Sequence, residues 1–213
     1  MISIDNMEYI ITEQQLKTII SEQNSLDSNA INLINKANSF FIPSFKKDYS
    51  LQYDSAKKHV DIDSILNEVL SYINSMSETI WSDIKTGKSP NGFINSIVQK
   101  LNSMALNEYR DINFAKKFLL KKTVKSQFKT KNEFVNFLVS PPGDSFGYGN
   151  YGALIQSIFN RIKNWLLEDL KGLDNVTKQK INDYYNKANS YINSIYKPSY
   201  AKLMNMVATD IYS

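Results

Sequence analysis

Apolar residues recur three and four positions apart along most of the chain, which is the spacing of α-helices that bury one face. The clearest stripe predicts one helix from Asp63 to Thr86, with Gly87 as its stop. A second stripe begins after Ser89-Pro90 and predicts a long helix that continues, with a bend, to about Lys125. The first stripe consists of Ile62, Ile65, Leu66, Val69, Ile73, Met76, Ile80 and Ile84, and the second of Phe93, Ile94, Ile97, Val98, Leu101, Met104 and Ala105.

Helix signals also mark the N-terminal region. Thr12, with Gln15 three positions later, predicts a capped helix start and a helix that runs to about Gln23. Asp27 or Ser28 then opens a second helix, which is expected to end at Pro43 because the residue before a proline avoids the helical region. A short polar helix or turn is expected over about 45–59.

The C-terminal half continues the helical pattern after one interruption. Residues 132–139 are expected to form a short helix, although an apolar run of this length is also compatible with a strand. Residues 140–152 contain most of the glycine and predict a loop. Further helices are predicted over 153–171, ended by Gly172, and over about 176–196 and 199–211. The sequence therefore predicts an all-α bundle of eight or nine helices in a single domain, residues 1–213, with 1–87 and 88–213 as its potential subdivisions.

Two segments of the chain resemble each other. The run Asn-Lys-Ala-Asn-Ser-Phe at 35–40 is followed by Pro43, and the run Asn-Lys-Ala-Asn-Ser-Tyr at 186–191 is followed by Pro198. Duplication of a helix–proline unit is one interpretation. Chance is the other, because a chain rich in Asn, Ser and Lys produces such matches readily and no fixed period follows.

Few residue types that support catalysis are present. The chain has no cysteine, which excludes disulfides, thiolate metal sites and cysteine nucleophiles. His59 is the only histidine, so a triad or a metal site would have to combine it with carboxylates such as Asp54, Asp61 and Asp63. We interpret Asp61 and Asp63 instead as capping residues of the following helix. We therefore expect no enzyme activity, no metal, no cofactor and no small-molecule substrate.

Two short motifs in the glycine-rich segment are weak. Gly143-Asp144-Ser145 is similar to the surroundings of some serine nucleophiles, but its base would have to be His59. Gly147, Gly149 and Gly152 have the spacing of a dinucleotide-binding loop, but no strand runs into the first glycine and no βαβ pattern follows. We interpret the segment as an aromatic loop in which Phe146, Tyr148 and Tyr151 are exposed and contact another subunit.

The positive charge is concentrated in one place. Seven of the 25 basic residues lie between Ile112 and Asn132 with no acid among them, whereas the whole chain has 21 acidic residues. Four of these lysines are spaced four apart and would form a stripe along a helix, a shape suited to phosphates. The alternative is a solvated face whose lysine stems cover apolar surface. The candidate DNA-facing residues are Lys117, Lys121, Lys125 and Lys129.

The N-terminal region also carries a loose motif, built from Tyr9-Ile-Ile-Thr12-Glu13-Gln-Gln-Leu16-Lys17, Leu26-Asp27, Ala30-Ile31 and Ile42-Pro43-Ser44-Phe45 to Asp48-Tyr49-Ser-Leu51. With the apolar helix that follows it, this motif resembles the start of small helical phage head–tail adaptor proteins. The resemblance implies a ring between portal and tail, whose channel passes DNA. The chain departs from the family pattern at Asp48, where an arginine is usual, at Pro43, and in the length of chain after residue 84.

The resemblance, together with the lack of catalytic residue types, implies a non-enzymatic virion structural protein, a ring or adaptor subunit at the phage head–tail junction. Its expected partners are further copies of itself, other structural proteins and DNA contacted without sequence specificity, and no membrane. We expect no secretory signal and a product made in the host cytoplasm. The alternatives are a helical membrane-active toxin that inserts an amphipathic helix such as 153–171, and a small nucleic-acid-binding regulator.

Overall fold

The computed structural model describes residues 12–48, 62–139 and 151–213, and in these ranges the chain forms eight α-helices and no strand. The predicted all-α bundle is confirmed. The helices are α1 (Glu13–Asp48), α2 (Ile62–Ser75), α3 (Ser77–Thr86), α4 (Asn91–Asp111), α5 (Phe114–Gln127), α6 (Lys131–Val139), α7 (Tyr151–Glu168) and α8 (Asn175–Tyr212).

The N-terminal region is one helix where two were predicted. The expected cap at Thr12 is present: its Oγ1 accepts a hydrogen bond from the Gln15 N–H at 3.2 Å, and Gln15 Oε1 accepts one from the Thr12 N–H at 2.9 Å. No break follows at Asp27 or Ser28, and Pro43 lies inside the helix instead of ending it. The helix continues because Ala30, Ile34, Ala37 and Phe41, four or three positions apart, are all buried against the core.

The helix predicted over 63–86 is two helices, separated at Met76. The backbone there leaves helical geometry, with φ −104° and ψ 4°, and the Met76 N–H is shared between the carbonyls of Tyr72 and Ile73. Of the predicted stripe, Met76 is half-buried and six residues are buried as expected: Ile65, Leu66, Val69, Ile73, Ile80 and Ile84. Gly87 ends α3 as predicted, in the left-handed region with φ 72°. Its N–H donates to Ile84 O, and the Lys88 N–H donates to Asp83 O.

The long helix predicted after Pro90 is likewise two helices, α4 and α5. The chain turns at Ile112, and Asn113 starts α5 by accepting a hydrogen bond from the Lys116 N–H at 2.9 Å. The helix predicted at 132–139 is confirmed as α6. Thr130 and Glu133 cap its start reciprocally.

Two boundaries differ in the C-terminal part. Tyr151 and Gly152, expected in the loop, are the first two residues of α7, and α7 ends at Glu168, before Gly172. The two helices predicted on either side of Pro198 are a single helix, α8. Tyr196 and Tyr200 flank the proline and are both buried, so packing holds the helix together where the proline removes a hydrogen bond. The remaining loop, 140–150, and residues 49–61 lie outside the described residues.

The last helix is the centre of the described structure. α8 contacts α3, α4, α5, α6 and α7, and α1 contacts α2, α3 and α7. One continuous cluster of buried apolar side chains includes residues from all eight helices. The contact between α7 and α8 is close, because a Cβ on Gly152 would lie 3.1 Å from the Tyr196 ring.

Candidate interaction surfaces

The structure describes only some of the residues that could support catalysis. His59, Asp54, Asp61, Gly143-Asp144-Ser145, Gly147 and Gly149 lie outside the described residues. Asp63, expected to cap α2, is the second residue of that helix, and its charge lies near the positive helix end as expected. Gly152 packs inside α7 against Tyr196. Within the described ranges no group of three or more histidine or carboxylate side chains is arranged to hold a metal ion.

The lysine stripe lies on α5, and three of its four members contact neighbouring helices. Lys121 Nζ is 3.3 Å from Asp210 Oδ1 on α8. Lys117 Nζ is 5.0 Å from the centre of the Tyr109 ring, and Lys125 Nζ is 6.0 Å from the centre of the Tyr212 ring. These side chains therefore hold α5 against the ends of α4 and α8.

Asp210 is the anchor of this contact. Its carboxylate accepts hydrogen bonds from the Tyr109 hydroxyl and from Lys121 Nζ. These bonds, with the nearby lysine charges, hold the pKa of Asp210 below its ordinary value. Burial and the bond to Asp210 raise the pKa of Tyr109 well above its ordinary value. Lys129, the fourth member of the stripe, follows α5; its backbone N–H donates to Glu133 Oε2 at 2.8 Å and its side chain is exposed.

The opposite face of α5 is the surface that sequence reasoning missed. Phe118 is 63% exposed and Leu119 is 61% exposed, whereas Val124 is buried. At about 100° per residue, Phe118, Lys122 and Leu119 all point away from Val124. Helical spacing and one buried residue are enough to locate this face. The four-residue lysine spacing marks the face that contacts α4 and α8.

Of the expected aromatic loop, 140–152, the structure describes only the last two residues. Phe146 and Tyr148 lie outside the described residues. Tyr151, expected to be exposed, is 0% exposed. It is buried because α7 begins at this residue and its first turn packs tightly on α8. The Tyr151 side chain is therefore not at the surface of the subunit, where it could contact another subunit.

A second exposed apolar surface lies at the start of α1. Every residue from Thr12 to Ser25 is exposed. Leu16, Ile19 and Ile20 are 48%, 50% and 51% exposed, and their spacing places them on one side of the helix. We call these three residues the α1 stripe. Ile19 also lines an open cleft of about 650 Å³ together with Leu26 on α1 and Lys171 and Gly172 after α7.

A polar cluster marks where α1 joins the body of the protein. Asp27 accepts hydrogen bonds from Trp81 Nε1 at 2.7 Å and from Lys85 Nζ at 2.6 Å, both on α3. Lys180 Nζ on α8 donates to the Lys85 carbonyl at 2.7 Å. The helix is therefore fixed from about Leu26 onwards, and the residues before it extend from the fixed part.

None of the helices in the described ranges combines the length and apolar character required to cross a membrane. No family model, curated protein or solved structure matches this chain.

Proposed function

We propose that this protein is a non-enzymatic structural subunit that associates with copies of itself, as the ring-forming adaptor at a phage head–tail junction. The α1 stripe is the observation that carries the proposal. Three large aliphatic side chains on one side of a helix, each about half exposed, form a contiguous apolar surface of a kind that marks contact sites.

The form of the α1 stripe favours a protein partner with a matching helix. Its side chains recur with the spacing that pairs helices side by side, and Glu13, Lys17 and Glu22 supply charges of both signs near it. Burying the exposed half of each aliphatic side chain contributes roughly 1 kcal/mol. In a symmetric assembly this gain is repeated at every subunit contact.

The adaptor form of the proposal rests on the sequence resemblance. The capped start at Thr12 and the buried Ala30 agree with the family pattern of a helix opening and a following apolar segment. The unbroken helix through Pro43 differs from the two helices and the tight end that the pattern implies. A virion location and structural protein neighbours belong to the same proposal. Of the four lysines expected to face DNA, Lys117, Lys121 and Lys125 contact Tyr109, Asp210 and Tyr212 within the subunit, whereas Lys129 is exposed. DNA contact in the proposed ring is therefore assigned to Lys129.

The test is the mass of the purified chain in solution. Light scattering behind size exclusion, at micromolar concentrations in low and physiological salt, should show a discrete assembly of several subunits, and negative-stain images should show rings. Leu16→Glu combined with Ile20→Glu should give monomers, because a buried contact cannot accept unpaired carboxylates. Ser21→Glu, on the far side of the same helix, is the matched control and should leave the assembly unchanged.

Two results would count against the proposal. A wild-type chain that remains monomeric up to about 100 μM would remove self-association as its function. Assembly that survives the double substitution would show that the subunits meet elsewhere than at the α1 stripe.

A further inference from the structure

The outward face of α5 combines exposed apolar side chains with lysines. The large apolar side chains of Phe118 and Leu119 are 63% and 61% exposed, and Lys116 and Lys122 are exposed beside them. No acidic residue lies between Ile112 and Asn132. We call Lys116, Phe118, Leu119 and Lys122 the α5 outer face.

The α5 outer face is not needed to hold the helix in place. Val124 and Leu120 pack towards the core, and Lys117, Lys121 and Lys125 contact Tyr109, Asp210 and Tyr212. A soluble helix with this inner face would normally carry polar residues on its outer side. Two large apolar residues there leave a surface that favours a partner.

The chemistry of the α5 outer face identifies the kind of partner. Both charges on this face, Lys116 and Lys122, are positive, so an anionic partner complements it. Duplex DNA offers phosphates to lysine but no apolar region for both Phe118 and Leu119. The surface of an anionic bilayer offers both, because apolar side chains enter the boundary between headgroups and acyl chains while lysines reach the headgroups.

We propose that the α5 outer face binds the surface of an anionic lipid bilayer, with Phe118 and Leu119 inserted at the interface and Lys116 and Lys122 against the headgroups. This binding is peripheral and needs no membrane-spanning helix. It departs from the sequence expectation of no membrane partner. It also goes beyond the proposed self-association, which uses α1.

Co-sedimentation of the full chain with vesicles tests the proposal. Vesicles of phosphatidylcholine with 30% phosphatidylglycerol should bind the protein, and vesicles of phosphatidylcholine should bind it at least tenfold more weakly. Phe118→Ala with Leu119→Ala should lower the binding at least tenfold. Lys116→Gln with Lys122→Gln should lower it similarly, since each lysine near an anionic surface contributes roughly fivefold.

Matched controls lie on α8. Val176→Ala removes an apolar residue that is 66% exposed, and Lys178→Gln with Lys187→Gln removes two exposed lysines. Both controls should bind as the wild type does. Circular dichroism establishes that every variant retains its helical content. In a separate measurement, the emission of a Phe118→Trp variant should shift to the blue only with the anionic vesicles.

Each opposite result overturns the proposal. Equal binding to both kinds of vesicle, or binding to neither, would exclude recognition of an anionic bilayer. Loss of binding in the α8 controls, with retention in the α5 variants, would place the surface elsewhere. Tight binding of single-stranded or duplex DNA without vesicle binding would assign the α5 outer face to nucleic acid. The Leu16→Glu, Ile20→Glu protein should be monomeric and should bind anionic vesicles as the wild type does. Failure of self-association and failure of membrane binding are therefore distinguishable.

Discussion

At the scale of single residues, Asp27 shows how one polar side chain fixes the direction of a helix. It was expected to cap a helix start, where a carboxylate accepts from backbone N–H groups. In the middle of α1 those N–H groups are already bonded, so the carboxylate is free to accept from Trp81 and Lys85 instead. Because Lys85 in turn is held by Lys180 through its carbonyl, the cluster ties together α1, α3 and α8.

Replacing Asp27 by Asn should lower the free energy of unfolding at neutral pH by about 1–2 kcal/mol, because a charged hydrogen bond to Lys85 is lost and the site is partly exposed. Urea denaturation of both proteins measures the difference. Asp183→Asn, an exposed carboxylate on α8, is the control and should change stability by less than about 0.5 kcal/mol. An Asp27→Asn protein as stable as the wild type would show that the charge of Asp27 adds nothing to the stability that apolar packing provides.

The same substitution predicts a pH dependence. Burial raises the pKa of Asp27, but the hydrogen bonds from Lys85 and Trp81 and the charge of Lys85 outweigh it, so the pKa lies below its ordinary value of 3.8. The folded-state pKa is thus lower than the unfolded one, and the stabilisation is fully present above 3.8 and is lost as the pH falls through the folded value. The stability difference between wild type and Asp27→Asn should therefore shrink in acid. A stability difference that grows as the pH falls would contradict the lowered pKa of Asp27.

At the scale of helices, local signals that depend on neighbouring residues were readable from the sequence. The cap at Thr12 and the stop at Gly87 formed as predicted, because each is decided within one turn. The breaks at Met76 and Ile112 and the continuity through Pro43 and Pro198 were not predicted. Those are decided by what each helix packs against, and a single sequence does not give the packing partners.

The two prolines inside helices also bear on the apparent repeat. Ala37 and Ala188 occupy the same position in the repeated run and are both buried, and each run is followed by a proline within its helix. Since similar helical surroundings favour similar small residues at a close contact, the agreement in burial fits both duplication and chance. The duplication stays a prediction.

Replacing Pro198 by Ala should raise the free energy of unfolding by about 1–3 kcal/mol. The proline is exposed inside α8, where it removes a backbone hydrogen bond and strains the preceding turn, and alanine restores the bond without disturbing the buried Tyr196 and Tyr200. Thermal and urea denaturation measure the gain. Lys197→Ala, the exposed neighbour, controls for helix propensity and should be nearly neutral. A destabilised Pro198→Ala protein would show that the packing of α8 requires the geometry that the proline imposes.

At the scale of the whole molecule, the described helices differ in how firmly they are held. The helix α8 contacts five other helices and contributes eleven buried residues to the core. The first turns of α1 contribute none, and its burial begins only at Leu26. Hydrogen bonds of the backbone open most easily where few apolar contacts must be broken with them. The molecule therefore joins a firmly packed body to a helix end whose order depends on what covers it.

This difference predicts how hydrogen exchange responds to association. In dilute protein the amides of residues 16–24 should exchange at least a hundredfold faster than those of 181–196, because only local opening is needed. Raising the concentration until subunits associate should slow exchange in 16–24 and leave 181–196 unchanged. The Leu16→Glu, Ile20→Glu protein should keep the fast exchange at every concentration. If the amides of 16–24 are protected equally at all concentrations, the chain itself already covers the α1 stripe, and self-association must use another surface. Protection of these amides that appears only with added subunits assigns the contact to this stripe.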